Sequence, residues 1–213
     1  MRALAALFAA LLLAAAALPA NGPSFSCSGR LTPAETAICA DPELAAWDRA
    51  IALFYQAGRK QGQVTAAQQK DWLAKRDRCS GEKACLRQSF ADWPGFPAPT
   101  GFGTAFDRPA RNDTAGFEIA PLGGGWHAFS ANAIHMVLDR RGRFVTANEG
   151  SIDGVVLLSG GRGHYSADPG DEFSCEIDFA RQRNGWNLED NGQCGGVGVT
   201  LTGSYLPRKG ARK

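Results

Sequence analysis

Trp93-Pro94-Gly95-Phe96-Pro97-Ala98-Pro99-Thr100-Gly101-Phe102-Gly103 divides the chain into two parts with different periodicity. Three prolines remove backbone donors and three glycines remove rigidity, so no helix crosses this stretch. Before it, apolar residues recur at three- and four-residue steps; after it, they alternate. The division predicts an α+β protein: a small helical bundle, then an antiparallel β-barrel or sandwich. Residues 94–112 read as a Pro/Gly-rich linker. Phe96, Phe102 and Phe106 within it are expected to pack against a domain surface, because exposed aromatics cost solubility.

On the N-terminal side, Thr32-Pro33-Ala34-Glu35 is a helix start. Thr32 caps, Pro33 occupies a position where no N–H is missed, and Glu35 completes a capping box. The helix it opens is short, Ala34 to Cys39. Asp41-Pro42-Glu43 starts a second helix, in which Leu44, Trp47, Ile51, Phe54 and Tyr55 form one stripe. Gly58 and Gly62 are expected to end it. Thr65-Ala66-Ala67-Gln68 is a second capping box, opening a helix with Trp72, Leu73 and Arg76 that ends near Cys79. After Ser80-Gly81, residues Glu82 to Trp93 form a last helix with Leu86, Phe90 and Trp93 inside.

Residues 1–20 have the grammar of a secretory signal. Met1-Arg2 is a basic start, Ala3 to Leu18 is almost wholly apolar, and Ala15-Ala16-Ala17 and Leu18-Pro19-Ala20 offer small residues for cleavage. The apolar run is short for a membrane anchor and no stop-transfer charge follows it. Six cysteines in an exported chain read as disulfides: Cys27, Cys39, Cys79 and Cys85 before the break, Cys175 and Cys194 after it. Four cysteines allow three pairings. Bonds tying the Cys27–Cys39 segment to the Cys79–Cys85 junction are favoured, because longer loops restrict the unfolded chain more; local Cys27–Cys39 and Cys79–Cys85 bonds are the alternative. A lipid on Cys27 would leave an odd thiol, and Ser24-Phe25-Ser26 before it lacks the leucine of a lipoprotein signal. The mature protein therefore reads as soluble, periplasmic or secreted.

The helical half carries a resemblance. Ser26-Cys27, Thr32 to Cys39, Asp41-Pro42-Glu43-Leu44-Ala45-Ala46-Trp47-Asp48, Gln69-Lys70-Asp71-Trp72-Leu73-Ala74-Lys75-Arg76-Asp77-Arg78-Cys79 and Cys85-Leu86 resemble the N-terminal domain of the lysozyme inhibitor LprI-like family of exported bacterial proteins. The resemblance covers roughly residues 24–92, with Trp47 where the family has leucine. It implies a helical, disulfide-closed domain and, loosely, lysozyme inhibition; the family's mycobacterial namesake is a lipoprotein, which this chain is not expected to be.

Beyond the break, Ile134-His135-Met136-Val137-Leu138, Arg140-Arg141-Gly142-Arg143 and Phe144-Val145-Thr146 read as a hairpin with a glycine turn. Val155–Leu158 reads as a short buried strand. Phe173–Phe179, Trp186–Leu188 and Val197–Tyr205 follow as strands, for about eight in all over residues 113–207. Cys175 and Cys194 flank the Asn184-Gly185 turn and are expected to bond across neighbouring strands or loops.

Charge and motifs narrow the function. Of 23 Lys and Arg residues one is Arg2, leaving 22 against 21 acids, so neither nucleic acid nor an anionic membrane is indicated. Arg208, Lys209, Arg212 and Lys213 read as a solvated tail. His127, His135 and His164 lack zinc-site spacing, and with all cysteines in disulfides no thiolate remains, so no metal or cofactor is expected. No serine-hydrolase elbow or P-loop is present. Asp48 and Asp77 read as partners of Arg76 rather than as a catalytic pair; Trp47 and Trp72 read as core. The expected function is a cell-envelope binding protein, not an enzyme, with lysozyme inhibition by occlusion as the activity the resemblance implies and lysozyme or another envelope protein as partner. Its expected partner-binding residues are Asp168, Asp171, Glu172, Glu176 and Asp178, acids that suit a very basic enzyme. The alternatives are an enzyme acting on envelope polymers through two carboxylates, for which no spacing picks out a pair, and a structural interaction module. Ser159–Tyr165 is a further loop that would suit insertion into a cleft.

Overall fold

The computed structural model describes residues 21–109 and 113–209. The expected signal segment, residues 1–20, lies outside them, as do the end of the basic tail and the last three positions of the expected linker. Four helices are followed by eight strands in one antiparallel sheet that curls into a half-barrel, an α+β fold.

The helices are α1 (Pro33–Ala40), α2 (Pro42–Gln61), α3 (Ala66–Arg76) and α4 (Lys83–Ala91), with a 3-10 turn at Asp77–Cys79. Both capping boxes form: Thr32 accepts from the Glu35 N–H while Glu35 accepts from the Thr32 N–H, and Thr65 and Gln68 do the same. Asp41 accepts from the N–H groups of Glu43 and Leu44. Only Gly62, at φ 73°, ends α2. Gly58 lies within the helix, where an added Cβ would stand 3.0 Å from Val64 Cγ1 and 3.3 Å from Pro99 Cγ. It is a close-approach glycine, not a stop.

The disulfides correct the favoured pairing. Cys27 bonds to Cys39 and Cys79 to Cys85, the local alternative, while Cys175–Cys194 forms as expected. Each N-terminal bond closes one turn-and-helix junction. The bundle is instead tied across its length by packing: Trp47 stacks on Phe90, Trp72 leans on Phe90, and Phe54 meets Trp93, Phe96 and Phe102.

The strands are β1 (Thr104–Arg108), β2 (Asp113–Gly123), β3 (Trp126–Leu138), β4 (Phe144–Leu157), β5 (Arg162–Ser166), β6 (Glu176–Gln182), β7 (Gly185–Asp190) and β8 (Gly203–Pro207). β1 falls inside the stretch expected as linker. It pairs with β2 on one side and β8 on the other, and Phe106 belongs to the barrel core. The expected hairpin is present, but Val155–Leu158 is not a separate strand: its first three residues end the fourteen-residue β4. Phe173–Cys175 lies in the loop before β6, and Val197–Thr202 lies in the loop before β8, where Gly198 at φ 80° breaks the extended run.

The strand order β4-β3-β2-β1-β8-β7-β6-β5 puts sequence neighbours β4 and β5 at opposite edges. In a flat sheet those edges would lie roughly 34 Å apart at the usual strand spacing. The five steps from Leu157 to Arg162 reach at most about 18 Å. The short connection therefore requires the sheet to curl. Tyr165 of β5 crosses the seam, lying edge-on to Phe129 of β3 at 4.9 Å. Phe117, Phe129, Phe179, Trp186 and Tyr205 fill the interior, so it is a core rather than a ligand cavity.

The outer face of β2–β3–β4 is covered row by row. Ala120, Ala128 and Val155 form an aligned row, and Ala128 and Val155 join the helical core. The next row is Glu118, Ser130 and Asp153. Over it runs the proline-glycine segment 94–103, a strap across the sheet. Its aromatics pack as expected: Phe96 on Trp93 and Phe54, Phe102 on Phe54.

Candidate functional site

The buried acids have structural partners. Arg76 lies between Asp48 and Asp77, at 3.4 Å and 2.7 Å, and Asp48 also accepts from the N–H and hydroxyl of Ser24 at 2.7 and 2.6 Å. Glu118 accepts from the N–H groups of Gly101 and Gly103, and Asp153 accepts from the N–H of Ala98. An irregular segment pressed onto a sheet leaves backbone donors without ladder partners, and each must be satisfied. Glu118 and Asp153 do this for the strap. They are separated by one strand, a spacing compatible with paired acid chemistry, but both Glu118 oxygens and Asp153 Oδ1 are occupied by backbone donors. Burial pushes the Asp153 carboxyl above the usual range, against the bonds from Ser130 and Ala98.

The five acids expected to bind a partner are all exposed. Asp168, Asp171 and Glu172 sit on the loop between β5 and β6; Glu176 and Asp178 follow on β6, both facing outward because the strand alternates. No basic residue interrupts Ala167–Phe179. The loop is braced from inside. Buried Ser174 accepts from the Asp168 N–H at 2.8 Å, the Asp171 side chain accepts from the Phe173 N–H at 2.9 Å, and the Ala167 N–H donates to the Cys175 carbonyl at 3.0 Å. The Cys175–Cys194 bond ties its base to the β7–β8 loop. On this frame Phe173 stands 69% exposed. Asp178 is the one acid with a side-chain partner on a neighbouring strand, His164 at 2.9 Å.

Asp168 is also one lip of a cleft of about 730 Å³ between α4 and the β4–β5 seam. Trp47, Phe96 and Tyr165 line it, with Lys83 and Arg87 on the helical wall. Those two cations are already neutralised: Lys83 pairs with Asp41 and Glu43, and Arg87 with Glu43. Burial would raise the Asp41 carboxyl, but Lys83 and the N–H groups of Leu44 and Glu43 hold it below the usual range. Among the described residues, the cations lining the cleft are thus already paired, and the loop presents acid beside them.

Phe173 was legible only as one position in an alternating strand. Its exposure follows from the turn at Asp168-Pro169-Gly170-Asp171, which delays β6 until Glu176. Ser159–Tyr165, read as an insertion loop, is a tight turn entering β5; His164 and Tyr165 are strand residues.

The chain matches no protein-family model, no curated protein and no solved structure. No helix among the described residues is long and apolar enough to cross a membrane.

Proposed function

We propose that this is an exported binding protein of the cell envelope, periplasmic or secreted, that engages a basic partner through the loop between β5 and β6. The observation that carries the reading is Phe173, an exposed aromatic on a disulfide-braced loop among acids. A rigid aromatic loses little freedom on binding, and surrounding acids steer a basic partner. The N-terminal resemblance supports lysozyme as that partner, inhibited by occlusion of its cleft. An enzyme acting on envelope polymers is less well supported, because the two acids on the sheet serve the strap.

The test is titration of a c-type lysozyme with the oxidised mature protein. Stoichiometric inhibition is expected, with affinity reduced at least tenfold by Phe173→Ala and progressively by amide replacements at Asp168, Asp171, Glu172, Glu176 and Asp178. Absence of inhibition at large excess removes lysozyme as the partner. Inhibition that survives Phe173→Ala and all five amides moves the site off this loop.

A further inference from the structure

Above the strap, the outer face of β2–β3–β4 continues as two further rows: Gly116, Asn132 and Ser151, then Thr114, Ile134 and Glu149. Neither helices nor strap cover them. Gly116, Asn132, Ser151, Ile134 and Glu149 form the floor of a trough of about 510 Å³, bounded by Pro97 and Phe102 of the strap and by Gln63. That volume lies in the usual range for small-ligand sites, roughly 300–1,000 Å³. Gly116 keeps the floor low: an added Cβ would stand 3.2 Å from Asp107 Oδ1, 3.3 Å from Arg208 Nη2 and 3.4 Å from Asn132 Oδ1.

The polar groups here differ from those beneath the strap. Glu118 and Asp153 are occupied. The side chains of Gln63, Asn132, Glu149 and Ser151 have no hydrogen-bond partner among the described residues, although they converge on one trough. Arg208 is held by Asp107 through three bonds of 2.8 to 3.0 Å, so its charge is balanced. Glu149 has no cation partner among the described residues, and Glu118, which also lines the trough, is held by backbone donors, so the trough disfavours an anionic ligand. Two amides, a hydroxyl and a carboxylate supply donors and acceptors side by side, which is what vicinal hydroxyls need. Phe102, Pro97 and Ile134 supply apolar surface for the C–H face of a ring.

We propose that this trough is a saccharide site that takes an uncharged sugar ring of a glycan. Asn132 and Gln63 both donate and accept, Glu149 accepts from hydroxyls, and Phe102 packs on the ring. No residue of the β5–β6 loop lines the trough, although Pro97 and Ser151 border both it and the cleft beside Asp168, and the proposal does not depend on the partner proposed for that loop. A protein anchored on a glycan through the trough would keep that loop free.

The test is calorimetric titration of the oxidised mature protein with short oligomers of N-acetylglucosamine and of glucose, and with an oligomer of glucuronic acid as the anionic control. Binding of at least one neutral oligomer is expected, and weaker binding of the acidic one. Asn132→Ala combined with Glu149→Ala should weaken it about tenfold or more, the scale of two lost hydrogen bonds. Ser151→Trp, at an exposed position, should fill the trough and abolish binding with the melting temperature retained. Phe173→Ala should bind the sugar as the parent does. Absence of binding to both neutral oligomers overturns the proposal, as does binding that Ser151→Trp leaves unchanged or a preference for the acidic oligomer.

Discussion

Arg76 Nη1 lies 3.4 Å from Asp48 Oδ1, with the two side chains only 4% and 7% exposed. Asp48 is on α2 and Arg76 on α3, and the carboxylate reaches on to Ser24, so one buried acid joins the N-terminal segment to two helices. Arg76 also lies 5.7 Å from the Trp72 ring centre, a cation–π contact. Removing Asp48 leaves Arg76 with Asp77 alone and takes the acceptor from the Ser24 N–H and hydroxyl. Asp48→Ala is expected to cost about 3 kcal/mol in urea unfolding, the scale of lost hydrogen bonds to a charged group. Asp48→Leu with Arg76→Met should recover most of it. A loss under about 1 kcal/mol for Asp48→Ala would place the pair with weak surface bridges.

Glu118 holds the strap from below. Glu118→Ala should leave the Gly101 and Gly103 donors without their acceptor and cost about 2–3 kcal/mol, as for other hydrogen bonds to charged groups. Limited proteolysis should then cut within residues 94–103 while the barrel survives. Uncut variant protein would show that strap packing through Phe96 and Phe102 suffices without the carboxylate.

Asp153 and Asp190 should give opposite pH dependences. Burial raises the Asp153 carboxyl, so the native state holds its proton more tightly than the unfolded chain does. That contribution is full below the unfolded aspartate value of about 3.9 and is lost as pH rises through the folded value. Asp153→Asn keeps an acceptor for the Ala98 N–H and should raise the melting temperature at pH 7 but not at pH 3. Burial also acts to raise Asp190, but Thr200, Thr202 and backbone donors outweigh it and leave that carboxyl lowered. Its contribution is present above the unfolded value and is lost as pH falls through the folded one. Asp190→Asn should therefore destabilise at pH 7 and have little effect in strong acid. Melting curves across pH check both signs.

The three disulfides close loops of different length, with separations of 6, 12 and 19 residues. Chain entropy alone predicts losses of about 2, 3 and 3 kcal/mol on replacing each pair with serine. Loss of Cys175–Cys194 should also weaken partner binding, since that bond braces the Phe173 loop. Loss of Cys79–Cys85 should affect stability alone. Equal binding by all three variants would show that the loop is held by Ser174 and Asp171 without the disulfide.

Local chemistry alone determined much of this protein. Thr32, Asp41 and Thr65 cap helices because each needs only residues two or three positions away, and the strap breaks the helix through its own prolines. The change of period after it forecast strands, and the even division of cysteines forecast that no disulfide would cross the break. The alanine-rich β2 and the first half of β3 had a weak signal, because alanine lacks the bulk that marks a strand. Tertiary structure decided what depends on distant partners. The cysteines pair locally because the folded helices bring those partners to Cα–Cα distances of 5.8 and 5.4 Å. Thr104–Arg108 became a strand because β2 and β8 lie on either side to receive it. Glu118 and Asp153 became a clasp, and Asn132, Ser151 and Glu149 an open trough, according to which row of one sheet face the strap happens to cross. That crossing is a long-range packing event, and no local pattern in the chain encodes where it falls.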